Sequence, residues 1–305
     1  MRSTFATSML ENAKKNPNII LLSADLGFKV FDEFRAQCPK QFINMGVSEQ
    51  NMISVAAGLA MSGKKTYCYS MVPFLVMRAF EQIRVDVCSH NLGVTLVGVG
   101  GGLSYGLEGI THHGFEDISV MRSLPGMTVT VPADPVECSA IINESITYNR
   151  PLFVRLGKNN DPVIHRTPTN IKIGTGAVVN EGEKVCIFAT GSMLLLGTHL
   201  IKELAKHGIN ATLVSIHTIK PLDKDLVLKL SKNNCAIFTI EEHSIIGGLG
   251  SAIAECLLEY GYNGQFKRFG LPDRYCSNIG DHEFLKVDCG LTVDCIFKGI
   301  ISNLK

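Results

Sequence analysis

The segment at residues 44–70 reads NMGVSEQNMISVAAGLAMSGKKTYCYS and combines a predicted helix with a predicted strand. Ser48 is a residue type that often caps a helix, and apolar residues such as Ile53 and Ala57 follow it at helical spacing. After Gly63 the pattern changes to KTYCYS, a run typical of a buried strand. One helix followed directly by one strand is the repeating unit of an α/β fold.

Similar units lie on both sides of this segment. Helical spacing recurs in FEQIRVDV and PVECSAIINESI, which separate further runs of strand type. Those runs are NIILLS near Ile20, GVTLVGV near Leu96, MTVTV near Val129 and PLFVRL near Val154. Buried strands that alternate with helices predict a mainly parallel sheet with helices on both faces.

The pattern is interrupted at residues 157–176, GKNNDPVIHRTPTNIKIGTG, which are rich in Asn, Pro, Thr and Gly. Beyond them the strand-like runs VCIFAT, ATLVSI and CAIFTI alternate with helical segments at 194–206, after Pro221, and at 250–258. A length of 305 residues also favours more than one domain. We therefore predict two α/β domains, at 1–160 and 177–305, joined by a linker at 161–176.

Composition limits the possible partners and location. The chain has 29 basic and 28 acidic residues, a balance that gives no reason to expect nucleic acid or a membrane surface as partner. Hydrophobic residues make up 46% of the chain, enough for a buried core. The N-terminal MRSTFATSMLENAKK lacks an apolar signal core, and no run reaches the roughly 18 apolar residues of a membrane span. These features predict a soluble, cytoplasmic protein.

Ten cysteines are present, but none forms a C-x-x-C pair. Several lie inside apolar runs, such as Cys186 in VCIFAT and Cys235 in CAIFTI. Such spacing favours buried free thiols in a reducing compartment over a disulfide framework or a zinc site. No metal ligand is predicted in this chain.

Glu49, in the first turn of the predicted helix, has two interpretations. Judged by its spacing alone, it complements the helix dipole, as acidic residues in first turns commonly do. However, GVSEQNMISVAAGLAMSGKKTY resembles the core motif of the transketolase family, shared in part with deoxyxylulose-phosphate synthase and the β subunits of 2-oxoacid dehydrogenases. The resemblance continues in order through FEQIRVDV, THHGFEDISVMRSLPGMTVTVPAD, PLFVRLGK, IKPLD and EEHSIIGGLGSAIAE. It implies a thiamine-diphosphate pyrimidine-binding domain followed by a transketolase C-terminal domain.

The resemblance assigns cofactor-binding roles to four residues. Glu49 matches the buried carboxylate that hydrogen-bonds the N1′ nitrogen of the aminopyrimidine ring, so that the exocyclic nitrogen can take the C2 proton. Phe74 matches the aromatic residue that stacks on this ring. Met71 and Met77 stand where transketolases often have aromatic residues, which implies a methionine-lined pocket.

The resemblance also assigns substrate-binding roles. His112 matches a histidine that hydrogen-bonds the sugar and moves protons during carbon–carbon cleavage. Glu108 replaces the usual aspartate for the donor hydroxyl, and glycines at 100–102 replace a histidine of many transketolases. Arg155 matches a phosphate-binding arginine, and Arg2 matches a second one near the start of the domain.

The G-D-G motif through which complete enzymes of this type bind the diphosphate and Mg²⁺ does not occur in the sequence. We therefore expect a separate partner subunit to hold both groups, most simply in an α2β2 assembly acting on small sugar phosphates. A 2-oxoacid dehydrogenase β subunit, a deoxyxylulose-phosphate-synthase-like enzyme and a non-catalytic scaffold subunit are alternatives. A deoxy-, sulfo- or nucleotide-linked sugar is also compatible with the sequence.

The predicted second domain carries EEHSIIGGLGS, which has two interpretations. A phosphate-binding loop is one, but GGLG lacks the full Walker or Rossmann spacing. We favour glycines that let a helix pack closely at a strand end, with His243 in a structural or interface role. His113 receives no role.

Overall fold

The computed structural model describes residues 1–158, 161–165 and 170–304. Parts of the predicted connector, at 159–160 and 166–169, and Lys305 lie outside the described residues. The predicted fold class is confirmed, because the chain forms two mainly parallel sheets with helices packed on both faces of each.

The first sheet has seven strands, and all neighbouring pairs are parallel except the one at its edge. Its spatial order is β10-β5-β6-β4-β3-β1-β2, formed by β1 (Ile19–Ser23), β2 (Phe42–Asn44), β3 (Lys65–Met71), β4 (Val94–Val99), β5 (Thr128–Thr130), β6 (Leu152–Leu156) and β10 (Thr218–Lys220). The five strands predicted for the first domain are all present. The prediction missed β2 and β10, which have only three residues each.

The helices that flank this sheet are α1 (Arg2–Lys15), α2 (Asp32–Gln37), α3 (Glu49–Met61), α4 (Phe80–Gln82), α5 (Asp117–Ser123) and α6 (Pro135–Ser145). Successive side chains of β1 point to opposite faces. Ile20 and Leu22 pack in the cluster that contains α3 and α5, whereas Ile19 and Leu21 pack in the cluster that contains α1 and α6. Every residue of β1 is buried, as expected for a parallel strand covered on both faces.

The second sheet has the order β12-β11-β8-β9-β7, with only β7 antiparallel to its neighbour. Its strands are β7 (Ala177–Asn180), β8 (Lys184–Ala189), β9 (Ala211–Ser215), β11 (Asn234–Ser244) and β12 (Gln265–Leu271), and its helices are α7 (Met193–Lys206), α8 (Lys224–Asn233), α9 (Leu249–Glu259), α10 (His282–Asp288) and α11 (Val293–Leu304). Within the described part of the chain, no helix combines the length and apolar character that a membrane crossing requires.

The segment FEQIRVDV departs from the regular helix that its spacing predicts. Only Phe80–Gln82 is α-helical, and this turn lies between two π-helical segments, Phe74–Arg78 and Ile83–Cys88. π-helical turns are rare and often occur at functional sites, because the wider turn changes the direction of the side chains it carries. The first π-helical segment contains Phe74 and Met77, two of the predicted cofactor-binding residues.

Arg155 links the two sheets. Its Nε and Nη2 atoms donate to the two carboxylate oxygens of Asp117 at 2.7 and 3.2 Å. Nη2 also donates to the carbonyl oxygens of Gly114 and Glu242, each at 2.9 Å. The Arg155 side chain is only 6% exposed and that of Asp117 is fully buried. The prediction of Arg155 as a phosphate clamp is therefore wrong for this structure, since its guanidinium already holds α5 and β11 in place.

The glycines of EEHSIIGGLGS serve packing, as the second interpretation predicted. The Glu241 carboxylate accepts hydrogen bonds from the N–H groups of Leu249 and Gly250 at 2.7 and 2.8 Å, so it fills the N-terminus of α9. A Cβ at Gly248 would lie 1.9 Å from a Glu241 oxygen. A carboxylate at this helix end excludes bound phosphate, and burial raises the pKa of Glu241 to about 7.

His243 is fully buried and joins the domains. Its Nδ1 donates to the Ser244 carbonyl oxygen at 2.8 Å, and its Nε2 accepts from the Ser119 N–H at 3.3 Å. Burial lowers the pKa of His243 to about 4, which keeps the ring neutral for both hydrogen bonds. This placement agrees with the structural role predicted for it.

We predict that Asp117→Ala lowers the free energy of unfolding by about 3–5 kcal/mol, because it leaves the buried Arg155 guanidinium without its carboxylate. The double variant Asp117→Leu, Arg155→Met should recover much of this loss, since apolar groups of similar size need no partner. Urea unfolding followed by far-UV circular dichroism measures both effects. A cost below about 1 kcal/mol for the single variant would contradict a structural role for the pair.

Candidate active site

The predicted site residues follow the carboxyl ends of strands in the first sheet. Glu49 lies after β2, Phe74 after β3, and Glu108 and His112 after β4. Neighbouring parallel strands end at the same edge of a sheet, and in open α/β sheets this edge is where ligands bind. The fold therefore brings these residues together although they are far apart in the sequence.

Glu49 is the first residue of α3, and its side chain is 2% exposed. Its Oε2 accepts a hydrogen bond from Arg78 Nη1 at 2.8 Å, and its Oε1 is 3.4 Å from the Ser70 hydroxyl at the end of β3. Ser48 precedes the helix but does not cap it, because its hydroxyl donates to the Met45 carbonyl oxygen at 2.8 Å. A carboxylate this deeply buried requires a charged or hydrogen-bonding partner.

Phe74 presents its ring beside Glu49. The Arg78 guanidinium lies 4.5 Å from the ring centroid, so Arg78 both stacks on Phe74 and bonds to Glu49. Met77 is 37% exposed and lines the same cleft as Phe74 and Arg78. Met71 ends β3 and packs against the core on the α1 side of the sheet, and it does not line this cleft. The predicted methionine-lined pocket therefore contains Met77 but not Met71.

The loop after β4 is closed into a ring by Gly102 and Gly114, whose backbone groups exchange hydrogen bonds at 3.0 and 2.8 Å. A Cβ at Gly102, where φ is +65°, would lie 2.3 Å from the Glu242 carboxylate, and one at Gly101 would lie 2.5 Å from Arg155. Gly101 and Gly102 are thus required by close packing against the Arg155 and Glu242 side chains, and Gly100, where a Cβ would lie 2.0 Å from the Tyr105 ring, by packing against Tyr105. This ring carries both Glu108 and His112.

His112 is half-buried, and its ring lies edge-on to Phe74 with centroids 5.1 Å apart. Its Nδ1 is 2.9 Å from the Thr111 hydroxyl, a contact that orients the ring. The neighbouring His113 is buried and its Nε2 donates to the Gly106 carbonyl oxygen at 3.0 Å, which makes it part of the loop's internal support. His112 thus contacts the Phe74 ring, whereas His113 supports the loop and forms part of the cleft wall.

Glu108 is paired with Lys158, which follows β6. The Lys158 Nζ lies 3.2 Å from the Glu108 carboxylate and 4.2 Å from the centroid of the Tyr105 ring. Desolvation raises the pKa of the Glu108 carboxyl, but the hydrogen bond and charge of Lys158 outweigh it and hold this pKa below its usual value. Lys158 is partly exposed, so it supplies the accessible cation that Arg155 does not.

Arg2 opens α1 and is half-buried. Burial raises the pKa of the Tyr69 and Tyr105 hydroxyls, and the positive charge of Arg2 opposes the rise at both. The charge of Arg2 therefore acts on both of these hydroxyl groups. Its predicted role in anion binding stays a prediction.

The structure thus brings Glu49, Phe74, His112 and Glu108 to one edge of the sheet and places Arg155 in the interior. Sequence reasoning missed Arg78, Tyr105 and Lys158. Lys158 could have been predicted as a site residue, because it lies three residues beyond Arg155 in the same segment. Arg78 carried no signal, because its contacts depend on a π-helical turn that the sequence pattern did not reveal.

Comparison with known proteins agrees with this architecture. Residues 1–162 match the pyrimidine binding domain of transketolase, and residues 174–294 match the transketolase C-terminal domain. The two matches together span most of the chain, and their boundary falls within the connector between β6 and β7.

Relatives of similar length carry the same two domains. The chain is 36% identical to the 6-deoxy-6-sulfo-D-fructose transketolase subunit SqwH of Clostridium sp. (strain MSTE9), over 96% of this chain and 90% of that protein. It is 35% identical to an apulose-4-phosphate transketolase subunit of Actinobacillus succinogenes, over 86% and 85% of the two chains.

A solved structure described as "Split gene transketolase, inactive beta4 tetramer" superposes with a TM-score of 0.89 at 34% identity, covering 99% of this chain and 97% of that one. The two domain matches, the curated relatives and this solved structure all identify the same family. The chain therefore belongs to the transketolase family and contains its pyrimidine-binding and C-terminal domains.

Proposed function

We propose that this chain supplies the catalytic glutamate of a split, thiamine-diphosphate-dependent transketolase that moves a two-carbon ketol unit between sugar substrates. The observation that carries the proposal is the buried Glu49 carboxylate, which shares the Arg78 guanidinium with the half-buried ring of Phe74. Similarity to separate transketolase subunits, matched over most of their length, favours this function over a single-chain synthase. A scaffold role alone would not require a buried carboxylate at this edge.

The residues present fit the aminopyrimidine half of the cofactor. Glu49 offers a carboxylate held by Arg78 and Ser70, and Phe74 offers a flat apolar surface at the same place. When bound, thiamine diphosphate supplies the nucleophilic carbon that ketol transfer needs. Glu49 would hold the proton of the pyrimidine N1′, and Phe74 would fix the plane of the ring.

The resemblance implies that the pyrimidine ring stacks on Phe74 and hydrogen-bonds to Glu49. In this structure Arg78 makes both of these contacts. A ring bound by the same two residues would compete with its guanidinium. We infer that Arg78 neutralises Glu49 in the chain without cofactor and moves aside when the ring binds. Its side chain is 46% exposed, so it has room to turn towards solvent.

An anionic sugar fits the other end of the site. Lys158 is the accessible cation after β6, and its pairing with Glu108 is a surface contact that an incoming phosphate or sulfonate could replace. His112 lies between this pair and Phe74, where it can hydrogen-bond a hydroxyl or carbonyl oxygen of the sugar. Lys158 thereby takes the anion-binding role that the resemblance gave to Arg155.

A partner subunit would complete the site by holding the diphosphate and Mg²⁺. Large apolar side chains are exposed on the segments that follow β1 to β4 at this edge of the sheet, namely Phe28, Val47, Met77, Leu107 and Ile110. Apolar groups exposed together around a polar site are typical of a protein interface. The solved relative assembled from one kind of subunit is described as inactive, which agrees with a need for the partner. An α2β2 assembly is the simplest arrangement of two such chains.

The proposed function is tested by assaying ketol transfer with this chain, with the diphosphate-binding subunit, and with their mixture. Each assay contains thiamine diphosphate, Mg²⁺ and a panel of ketose phosphates and sulfo-ketoses. We expect transfer only in the mixture. Transfer by this chain alone would contradict the split-site proposal.

Glu49→Gln, which keeps the size of the side chain but removes its charge, should lower kcat of the mixture at least about a hundredfold. The matched control is Glu81→Gln, because Glu81 is an exposed glutamate on α4. Analytical ultracentrifugation should show that both variants still assemble with the partner. Equal activity of the two variants would show that Glu49 has no catalytic role.

Arg78→Ala should tighten thiamine diphosphate binding by the mixture about fivefold, because it removes the competing group and leaves Glu49 without a partner in the free state. Fluorescence titration with the cofactor measures this change. Arg84→Ala, at an exposed position in the second π-helical segment, is the control and should not alter affinity. Weaker binding by Arg78→Ala would instead mean that Arg78 helps to hold the cofactor.

A further inference from the structure

Two cysteines and an aspartate converge in the C-terminal domain, apart from the residues assigned above. Cys276 lies in the loop after β12, and Asp288 and Cys289 lie at the end of α10. The two Sγ atoms are 3.6 Å apart, and one carboxylate oxygen of Asp288 lies within 4.8 Å of both. Twelve residues separate the two cysteines in the sequence, so C-x-x-C spacing could not reveal this cluster.

The Asp288 carboxylate lies close to the sulfur atoms. Its Oδ1 accepts a hydrogen bond from Asn278 Nδ2 at 2.7 Å. Its Oδ2 is buried, and no group in the described part of the chain hydrogen-bonds to it. The nearest cation, Arg274, has its Nη2 at 3.7 Å from Oδ2, too far for a hydrogen bond. This carboxylate oxygen is therefore available to bind a further ligand.

The spacing of the sulfur atoms distinguishes two possible bonds. Tetrahedral zinc, with Zn–S bonds of about 2.3 Å, places two thiolates about 3.8 Å apart. The observed 3.6 Å is close to this value, whereas a disulfide requires the sulfurs to approach to about 2.0 Å. A disulfide would also leave the Asp288 oxygen without a partner. The geometry therefore favours a metal ion over a disulfide.

Charge and surroundings also suit a divalent cation. Two thiolates and one carboxylate carry three negative charges, which a divalent ion and Arg274 together would neutralise. Both cysteines pack against the apolar cluster of the second sheet, whose low polarity strengthens binding by the thiolates. Binding would release the two thiol protons and needs no oxidant.

We propose that Cys276, Cys289 and Asp288 bind a thiophilic divalent metal ion, of which Zn²⁺ fits best, with a fourth position open to water. The ion would cross-link the loop at 272–281 to the end of α10. That loop carries Tyr275, which contacts Phe115 with ring centroids 5.9 Å apart and lines the cleft beside Phe74. The metal site thus has a structural role that reaches one wall of the active site.

The test uses the full chain, reduced and freed of metal with a chelator, and titrated with Co²⁺ as a spectroscopic probe. We expect a thiolate-to-cobalt charge-transfer band that saturates at one ion per chain and disappears when Zn²⁺ is added. Cys276→Ser, Cys289→Ser should abolish the band. The control is Cys235→Ser, Cys295→Ser, which changes two exposed cysteines and should leave the band intact.

Asp288→Asn provides a second test that keeps both thiols, and it should weaken Co²⁺ binding at least about tenfold. Far-UV circular dichroism checks that each variant is folded. An unchanged band in the double-serine variant, or no stoichiometric binding by the unmodified chain, would overturn the proposal. Loss of the two thiols as a disulfide in the freshly isolated protein, detected by mass spectrometry without reductant, would overturn it as well.

Discussion

The guanidinium of Arg155 joins three separate parts of the molecule through four hydrogen bonds in a site closed to solvent. It reaches the glycine-closed loop after β4, the start of α5 and the main chain of β11. A charge buried this deeply is tolerated only with its partners in place, so the two domains and the loop must take up one arrangement together. That arrangement sets the position of Glu108 and His112, although Arg155 touches neither of them.

A second buried acidic side chain, Glu49, lies at the edge of the sheet where we propose the cofactor site. The buried carboxylate needs a partner, and Arg78 hydrogen-bonds to it while stacking on the Phe74 ring. In the proposed function, Glu49 and Phe74 bind the cofactor ring after Arg78 has moved away from them. The exposed apolar side chains at this edge of the sheet, which include Phe28, Val47 and Leu107, suit contact with another subunit.

The sequence predicted the structure best where the spacing of apolar residues along a segment matches the burial of that segment. The alternation of buried strands and helices predicted both sheets, and the pattern after Ser48 predicted Glu49 in the first turn of a helix, where the structure places it. Prediction from the sequence failed where the role of a residue depends on contacts between distant segments. Arg155 resembled a ligand-binding arginine, yet its partners Asp117 and Glu242 made it internal. Cys276 and Cys289 showed no ligand spacing because a loop and a helix separate them.

The central claim is that the cofactor site is shared between this chain and a diphosphate-binding partner. Isothermal titration of thiamine diphosphate with Mg²⁺ into this chain, the partner and their mixture tests it most directly. We expect tight binding by the mixture alone, with one cofactor for each pair of chains. Binding by this chain alone, with the affinity of the mixture, would contradict it.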